Sequence, residues 1–356
     1  MIVIIGAGIA GLSLGYELTK RGAQATVLES KTIANGASGV ATCYLEPRLG
    51  DTPMRRLERE SLSRWPDFVA ELEAETGVET GFRTEGQLRV SLPENVERFE
   101  KNLAEWGAED TPCERISIDE ARRREPLISP DTAAAANLPH VRWTDGRKTC
   151  AALAQAIEKQ GGKVFENAAI EAIGSGGVEL ADFSFLGADQ IILCNGIGAN
   201  TLGGRPEDIP VTRPVRGVNL VLDMDALPKP INHMIKHHRG NMVPVDERRL
   251  VVGTTYEAGI VSLDVSDTVI EKLYANAEPI LPGIRNLPLI EVNAGLRTKV
   301  GDGVLRLGQS RENPAIFYSL GHAGSGYLRA PVIAPEFAQF ILTGESGPAI
   351  EHILSG

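Results

Sequence analysis

A glycine-rich turn follows almost at once on the first apolar residues, as Gly6-Ala7-Gly8-Ile9-Ala10-Gly11. Before it, Met1–Ile5 is a short β-branched run suited to a central parallel strand buried on both faces. After it, Leu12–Arg21 has helical apolar spacing up to Gly22, and Ala25–Leu28 predicts a second strand closing on Glu29. This is the order of a dinucleotide-binding unit. Gly6 permits the tight turn, Gly8 lets the backbone approach a pyrophosphate, and Gly11 lets the helix pack on the strand. The pyrophosphate then faces unpaired N–H groups at the helix start, around Ile9 and Ala10. Glu29, 18 residues beyond Gly11, is placed for the ribose hydroxyls, with Ser30 beside it. An acid rather than an arginine there argues against NADP and leaves NAD and FAD open.

Composition narrows the partners. A net charge of −11 argues against nucleic acid, whose phosphates are bound by clustered Lys and Arg. No apolar run is long enough for a transmembrane helix, and the start has no basic n-region, so no membrane association and a cytoplasmic location are expected. Cys43, Cys113, Cys150 and Cys194 are far apart in sequence and have no metal-ligand spacing. Lys236-His237-His238-Arg239-Gly240 reads as a solvated basic loop rather than a metal site.

Further blocks separate FAD from NAD. Asn35-Gly36-Ala37-Ser38-Gly39 is a small-residue loop, and Gly36–Leu45 resembles the loop of D-amino-acid-oxidase-type flavoproteins that passes over the flavin. The strand ending in Cys194-Asn195-Gly196 resembles the element that returns that family's chain to the nucleotide domain. Asn293-Ala294-Gly295-Leu296-Arg297 is similar to the W-A-G-L-R block of glycine oxidases. Gly321-His322-Ala323-Gly324-Ser325-Gly326, with the apolar Tyr327–Leu342 after it, is similar to the C-terminal flavin loop and helix. Arg55–Val90 and Ile118–Ile128 also resemble glycine oxidase of the thiamine pathway, in the same block order. No second G-x-G-x-x-G follows a mid-chain strand. No G-D-A-A-H occurs, and Gly301-Asp302-Gly303 reads as a turn.

The resemblance implies an α/β fold with an α+β substrate part. A Rossmann-type FAD-binding domain (1–80, 145–205 and 295–356) is interleaved with a mixed or antiparallel-sheet substrate domain (81–144 and 206–294). Gln87–Leu92, Val218–Leu222, Asn241–Val245 and Arg249–Thr255 predict strands of that sheet. Cys150–Lys159 predicts a helix, and Lys163–Phe165 and Ala169–Ile173 predict strands, with Ile170 where the family's main chain contacts adenine. Pro331 and Pro335 predict a kink or a delayed start in the last helix.

The resemblance also implies chemistry. A hydride passes from the substrate's α-carbon to FAD, the imine hydrolyses to a keto acid and ammonia, and oxygen is the expected acceptor with release of peroxide. Arg297 is the expected carboxylate clamp. Thr42, Cys43 and Tyr44 replace the family's Gly-Met-Leu, and Tyr44 offers a phenol. Asn241 stands where glycine oxidases carry a carboxylate-binding tyrosine, and Gly324 where they carry an arginine. His322 is expected to be a structural or backbone-contact position in the flavin loop. The expected partners are a small amino acid or amine and oxygen, with homo-oligomerisation open. The alternatives are an amine dehydrogenase with another acceptor, a tRNA-modifying enzyme disfavoured by the acidic charge, or a flavin subunit needing a second chain.

Overall fold

The computed structural model describes residues 1–108, 112–301 and 303–355, so Asp302 of the expected turn lies outside the described residues. Ile2–Ile5 is buried at every position and forms an interior strand of the first sheet. It pairs in parallel with Ala25–Leu28 on one side and Gln190–Leu193 on the other. Lys163–Phe165 extends one edge; Ile316–Leu320, Arg306–Gln309 and Leu354–Ser355 extend the other. All pairings are parallel except that of Arg306–Gln309 with Ile316–Leu320.

Alternate residues of the first strand feed different cores, as a sheet covered on both faces requires. Ile2 and Ile4 pack with helices Ile9–Lys20, Pro53–Thr76, Gly146–Lys159 and Gly326–Thr343. Val3 and Ile5 pack with the smaller sheet formed by Ile170–Gly174, Gly177–Leu180 and Phe185–Gly187. Helix Ile9–Lys20 is therefore buried on nearly every side.

The second sheet holds nine strands among the described residues. Its spine is the antiparallel pairing of Thr212–Asp223 with Leu289–Val300, in register from Thr212 opposite Val300 to Leu222 opposite Leu289, with an irregularity between Val221 and Leu222. Arg249–Gly253, Gly240–Pro244, Met234–His237, Gln87–Ser91, Ala134–Leu138 and Glu114–Ile116 continue it. Val218, Leu220 and Leu222 point into a core closed by helix Asp267–Ala277. The intervening Gly217 and Asn219 therefore take the opposite face, which meets the nucleotide-binding part. The expected junction at 294/295 falls inside Leu289–Val300, which stays in this sheet to its end.

Two local expectations are corrected. His237 is not in a solvated loop but ends the strand Met234–His237, 7% exposed, because the chain reverses within the two residues before Gly240. Burial, together with the charges of His238 and Arg239, lowers its imidazole to about 4. Pro331 and Pro335 do not delay the start of the last helix, which runs continuously from Gly326 to Thr343. Its burial against helices Ile9–Lys20 and Pro53–Thr76 compensates for the two missing N–H donors.

One buried charge joins three elements. The Glu58 carboxylate accepts from Arg48 at 2.8 Å, Arg55 at 3.0 Å and Arg329 at 2.6 Å, and its side chain is fully buried. Burial pushes its carboxyl upward, but the hydrogen bond from Arg48 and the charge of Arg329 outweigh that and hold it at about 2. Glu58→Gln leaves several guanidinium groups short of a counter-charge, so a loss of about 3–5 kcal/mol is expected in urea unfolding. Because this pKa is lowered on folding, the carboxylate's contribution is complete above about 4.5 and disappears as pH falls towards 2. The variant's unfolding midpoint should therefore depend less on pH than the wild type's across that window.

Candidate active site

At the carboxyl ends of the first sheet, the chain leaves Ile2–Ile5 between two neighbours on opposite sides, the crevice where open α/β sheets bind ligands. Gly6 has φ +107°, and a Cβ there would lie 2.9 Å from Cα of Asn195. A Cβ on Gly11 would lie 2.0 Å from the Gly6 carbonyl oxygen. Both glycines are thus required by the fold itself. Gly8 differs: its Cβ would meet only the Ser38 side chain, at 3.0 Å. The helix that begins at Ile9 has Gly8 as its N-cap, with no side chain to cap it, and no acid lies in its first turn. The Ile9 N–H donates to Ser38 Oγ at 3.0 Å, tying the small-residue loop to the helix start.

Glu29 follows directly on the second strand, Ala25–Leu28. Its carboxylate accepts from the Ala7 N–H, the Ser30 hydroxyl and the Lys31 N–H, each at 3.0 Å. The Glu29 carbonyl accepts from the Ala168 N–H at 2.8 Å, which brings Ile170 to the same end of the crevice. The Asn195 Oδ1 is buried with no partner in the protein, and Gly196 beyond it has φ +58°. A glycine cradle, a helix start with glycine at its N-cap, an acid just after the strand and an unpartnered buried amide oxygen together fit a dinucleotide.

The flavin-loop segment is fixed from behind. The Tyr327 hydroxyl lies 2.9 Å from the carbonyl oxygens of both Ser38 and Gly146, and 3.3 Å from Cys150 Sγ. Tyr327 thus turns its side chain into the core, joining helices Gly146–Lys159 and Gly326–Thr343 to the loop; a cofactor contact from it is left to its backbone. Cys43 lies here too, with φ +49°, and burial raises its thiol. So two of the cysteines that are distant in sequence meet at one phenol. A Cβ on Gly39 would lie 2.2 Å from the Ala34 carbonyl oxygen, so the loop folds tightly upon itself.

The second sheet supplies the facing wall. The Arg297 guanidinium lies flat over Gly217, where a Cβ would come within 2.5 Å of Nη2. Nη1 donates to the Thr255 carbonyl and Nη2 to Thr254 Oγ1, both at 3.1 Å. Burial lowers its pKa, with Tyr44 and Tyr256 the side chains that oppose the shift. No carboxylate among the described residues pairs with it. Two N–H groups are committed, so three of the guanidinium's five donors remain.

Tyr44 lies opposite Trp143 in a short strand pair, with Lys236 Nζ 4.7 Å from its ring centre. Asn241 lies beside Gly253 and Lys236 in one row of the sheet, buried, with Oδ1 unpartnered. Thr42 is buried near Gly253, 3.6 Å from where a Cβ would be. Gly321 packs on Val300, and the Ala323 N–H donates to the Thr298 carbonyl at 2.9 Å. The C-terminal loop is therefore fastened to the strand that carries Arg297. Gly324, unencumbered by a side chain, leaves space beside Arg297 Cδ and Nε, 3.8 Å from its Cβ position. Ser325 and Gly326 begin an uncapped helix. His322 is held by Ser319 Oγ at 2.9 Å; its Nδ1 is buried without a partner, and burial and the charge of Arg329 keep the ring neutral, at about 3.

Sequence reading missed Thr254, Thr255, Tyr256 and Lys236 at this site, and Glu46 behind it. Glu46 pairs with Arg89 and Lys236, both at 2.5 Å, so the loop after Tyr44 is bolted to the sheet. Burial alone would raise its carboxyl, but Lys236 and Arg89 bring it to about 2. Neither a threonine nor an acidic side chain is marked in sequence as the partner of a particular cation.

The model of the FAD dependent oxidoreductase family matches residues 1–340. The glycine oxidase of Bacillus licheniformis is 28% identical over 346 residues, covering 96% of this chain and 92% of that protein. The crystal structure of glycine oxidase from Geobacillus kaustophilus superposes with a TM-score of 0.89 at 23% identity, over 99% of this chain and 97% of that one. Iminodiacetate oxidase from Chelativorans sp. BNC1 gives 0.88 at 20% identity, over 99% and 98%.

The glycine contacts yield a test of the cradle. Gly8→Val should keep the fold by circular dichroism yet lose FAD from the purified protein, because the branched side chain fills the ligand's approach. Gly11→Val should instead fail to fold, its Cβ being blocked by the Gly6 carbonyl.

Proposed function

The chain belongs to the FAD dependent oxidoreductase family and oxidises amine C–N bonds with FAD; from that premise, we propose that its substrate is a small amino acid, deaminated oxidatively. The balance is amino acid, oxygen and water to keto acid, ammonia and hydrogen peroxide. FAD, when bound, takes up the two electrons removed from the substrate and passes them to oxygen.

The observation that carries this reading is the half-buried guanidinium of Arg297, which no carboxylate among the described residues pairs with. A cation taken out of water without a counter-charge is unfavourable until an anion arrives. Its planar fork matches a carboxylate with two parallel N–H donors. Thr254 and Thr255 hold the fork, and the glycine at 217 lets it lie flat, so the substrate would meet a preset geometry. We assign Tyr44 and Asn241 to the same cavity: the phenol as a donor or acceptor for the substrate's polar groups, the unpartnered Oδ1 as an acceptor for an amine N–H. The pyrophosphate would sit at Gly6–Gly11 with Ser38, the adenosine at Glu29 and Ile170, and the flavin against Gly39, Thr42 and the 321–326 loop. The glycine oxidase relative supports glycine or an N-methylated glycine as first substrates to try.

Arg297→Leu removes a charge-assisted contact in a desolvated pocket, with an expected loss of about 2–5 kcal/mol, or about 30- to several-thousand-fold in kcat/KM. FAD content should change little, and Arg297→Lys should recover only part of the loss. The check is anaerobic flavin bleaching by the best amino acid and by its decarboxylated amine. The variant should slow the first far more than the second; equal losses would remove Arg297 from the carboxylate. Peroxide release by the isolated chain assigns oxygen as acceptor. Flavin bleaching without peroxide assigns a different acceptor or a required partner chain.

A further inference from the structure

The sheet face around Arg297 carries more positive charge than one carboxylate needs. Arg297 and Lys299 are two residues apart in one strand, so their side chains leave the same face, about 6.6 Å apart along it. Arg213 is directly opposite Lys299 in the register, a like-charge pair that a sheet disfavours. Lys299 Nζ lies 5.1 Å from the centre of the Tyr256 ring, and the same tyrosine contributes to the electrostatics of Arg297. The two cations thus flank one aromatic side chain.

Their isolation from acids is local. Arg216, on the opposite face of the neighbouring strand, is neutralised by Glu257 at 2.5 Å. Arg147 is neutralised by Glu291 at 2.9 Å, and Arg249 by Asp145 at 2.5 Å. Among the described residues no carboxylate pairs with Arg213, Arg297 or Lys299, although the chain has 47 Asp and Glu against 36 Lys and Arg. Gly324 adds room: without a side chain it leaves the space next to Arg297 open to a substrate longer than glycine.

We propose that the physiological substrate is dianionic, an amino dicarboxylate. Arg297 takes the carboxylate next to the carbon being oxidised. Lys299, with Arg213 at the rim, takes the second. This rests on the amino-acid reading above and specifies its substrate class. The second carboxylate is carried either on the nitrogen substituent or on the side chain, and the charge pattern accommodates both.

The test compares anaerobic flavin reduction in the FAD-loaded enzyme by glycine and sarcosine, by iminodiacetate, and by D-aspartate and D-glutamate. The best dicarboxylate should exceed glycine in kcat/KM by about tenfold or more. In K299M the ratio of dicarboxylate to glycine kcat/KM should fall about tenfold, mainly through KM, and 0.5 M salt should diminish the wild-type preference. R213M, at the exposed rim, should lower the same ratio by a smaller factor, and it carries the test should K299M be unstable. Iminodiacetate against the D-amino dicarboxylates identifies which arm holds the second charge. A ratio unmoved in both variants, or a preference for glycine, overturns the dianionic substrate while leaving amino-acid oxidation intact. No bleaching by any of these compounds overturns the functional reading itself.

Discussion

The antiparallel ladder between Thr212–Asp223 and Leu289–Val300 sets the geometry on which the site depends. Strand residues alternate between faces, so one register decision assigns Val218, Leu220 and Leu222 to an apolar core and Gly217, Asn219, Gly295 and Arg297 to the opposite wall. A slip of one residue would exchange the two sets, burying a guanidinium among aliphatic side chains. The buried aliphatic face holds the register, and the reactive face inherits its precision from it. The Ala323–Thr298 hydrogen bond carries that precision to the C-terminal loop.

Charge is treated differently in the scaffold and at the site. Glu58 among Arg48, Arg55 and Arg329, and Glu46 between Arg89 and Lys236, are buried carboxylates saturated with cationic donors. Both groups fasten the chain just after the flavin-loop segment, Glu46 and Arg48 lying beyond Tyr44. Such networks resist rearrangement because the loss of one partner leaves another charge desolvated. Arg297 has only neutral oxygen partners, which orient the guanidinium without neutralising it. A cation left in this condition is binding capacity held for a ligand.

The loop itself owes its shape to contacts that no single segment contains. Ser38 receives the Ile9 N–H through its hydroxyl and offers its carbonyl to Tyr327, 289 positions away in sequence. Gly146 supplies the second carbonyl at the same phenol, and a Cβ there would come within 2.6 Å of both Cys43 Sγ and the Tyr327 hydroxyl. Three elements thus converge on one buried hydroxyl, with glycine at the point of closest approach.

Much of this was legible in the residues. The first strand, the glycine turn and Glu29 are specified by near-neighbour chemistry: β-branched burial, left-handed backbone and a helix start with glycine at its N-cap. Lys163–Phe165 and Ala25–Leu28 occur where apolar runs and turn glycines predict them. The solvated loop expected at His237 and the delayed helix start expected at the two prolines are not found, because burial by partners distant in the chain overrides local composition. Arg297 could be singled out from its block, but not its partners Thr254 and Thr255, nor the flat bed of Gly217. The sequence by itself determined the dinucleotide unit, the class of fold and the residue types available for chemistry, since those depend on short-range periodicity and backbone freedom. Only the tertiary structure decided which cations stay unpaired and which side chains share a wall, because strand register and burial are set jointly by segments far apart in the chain.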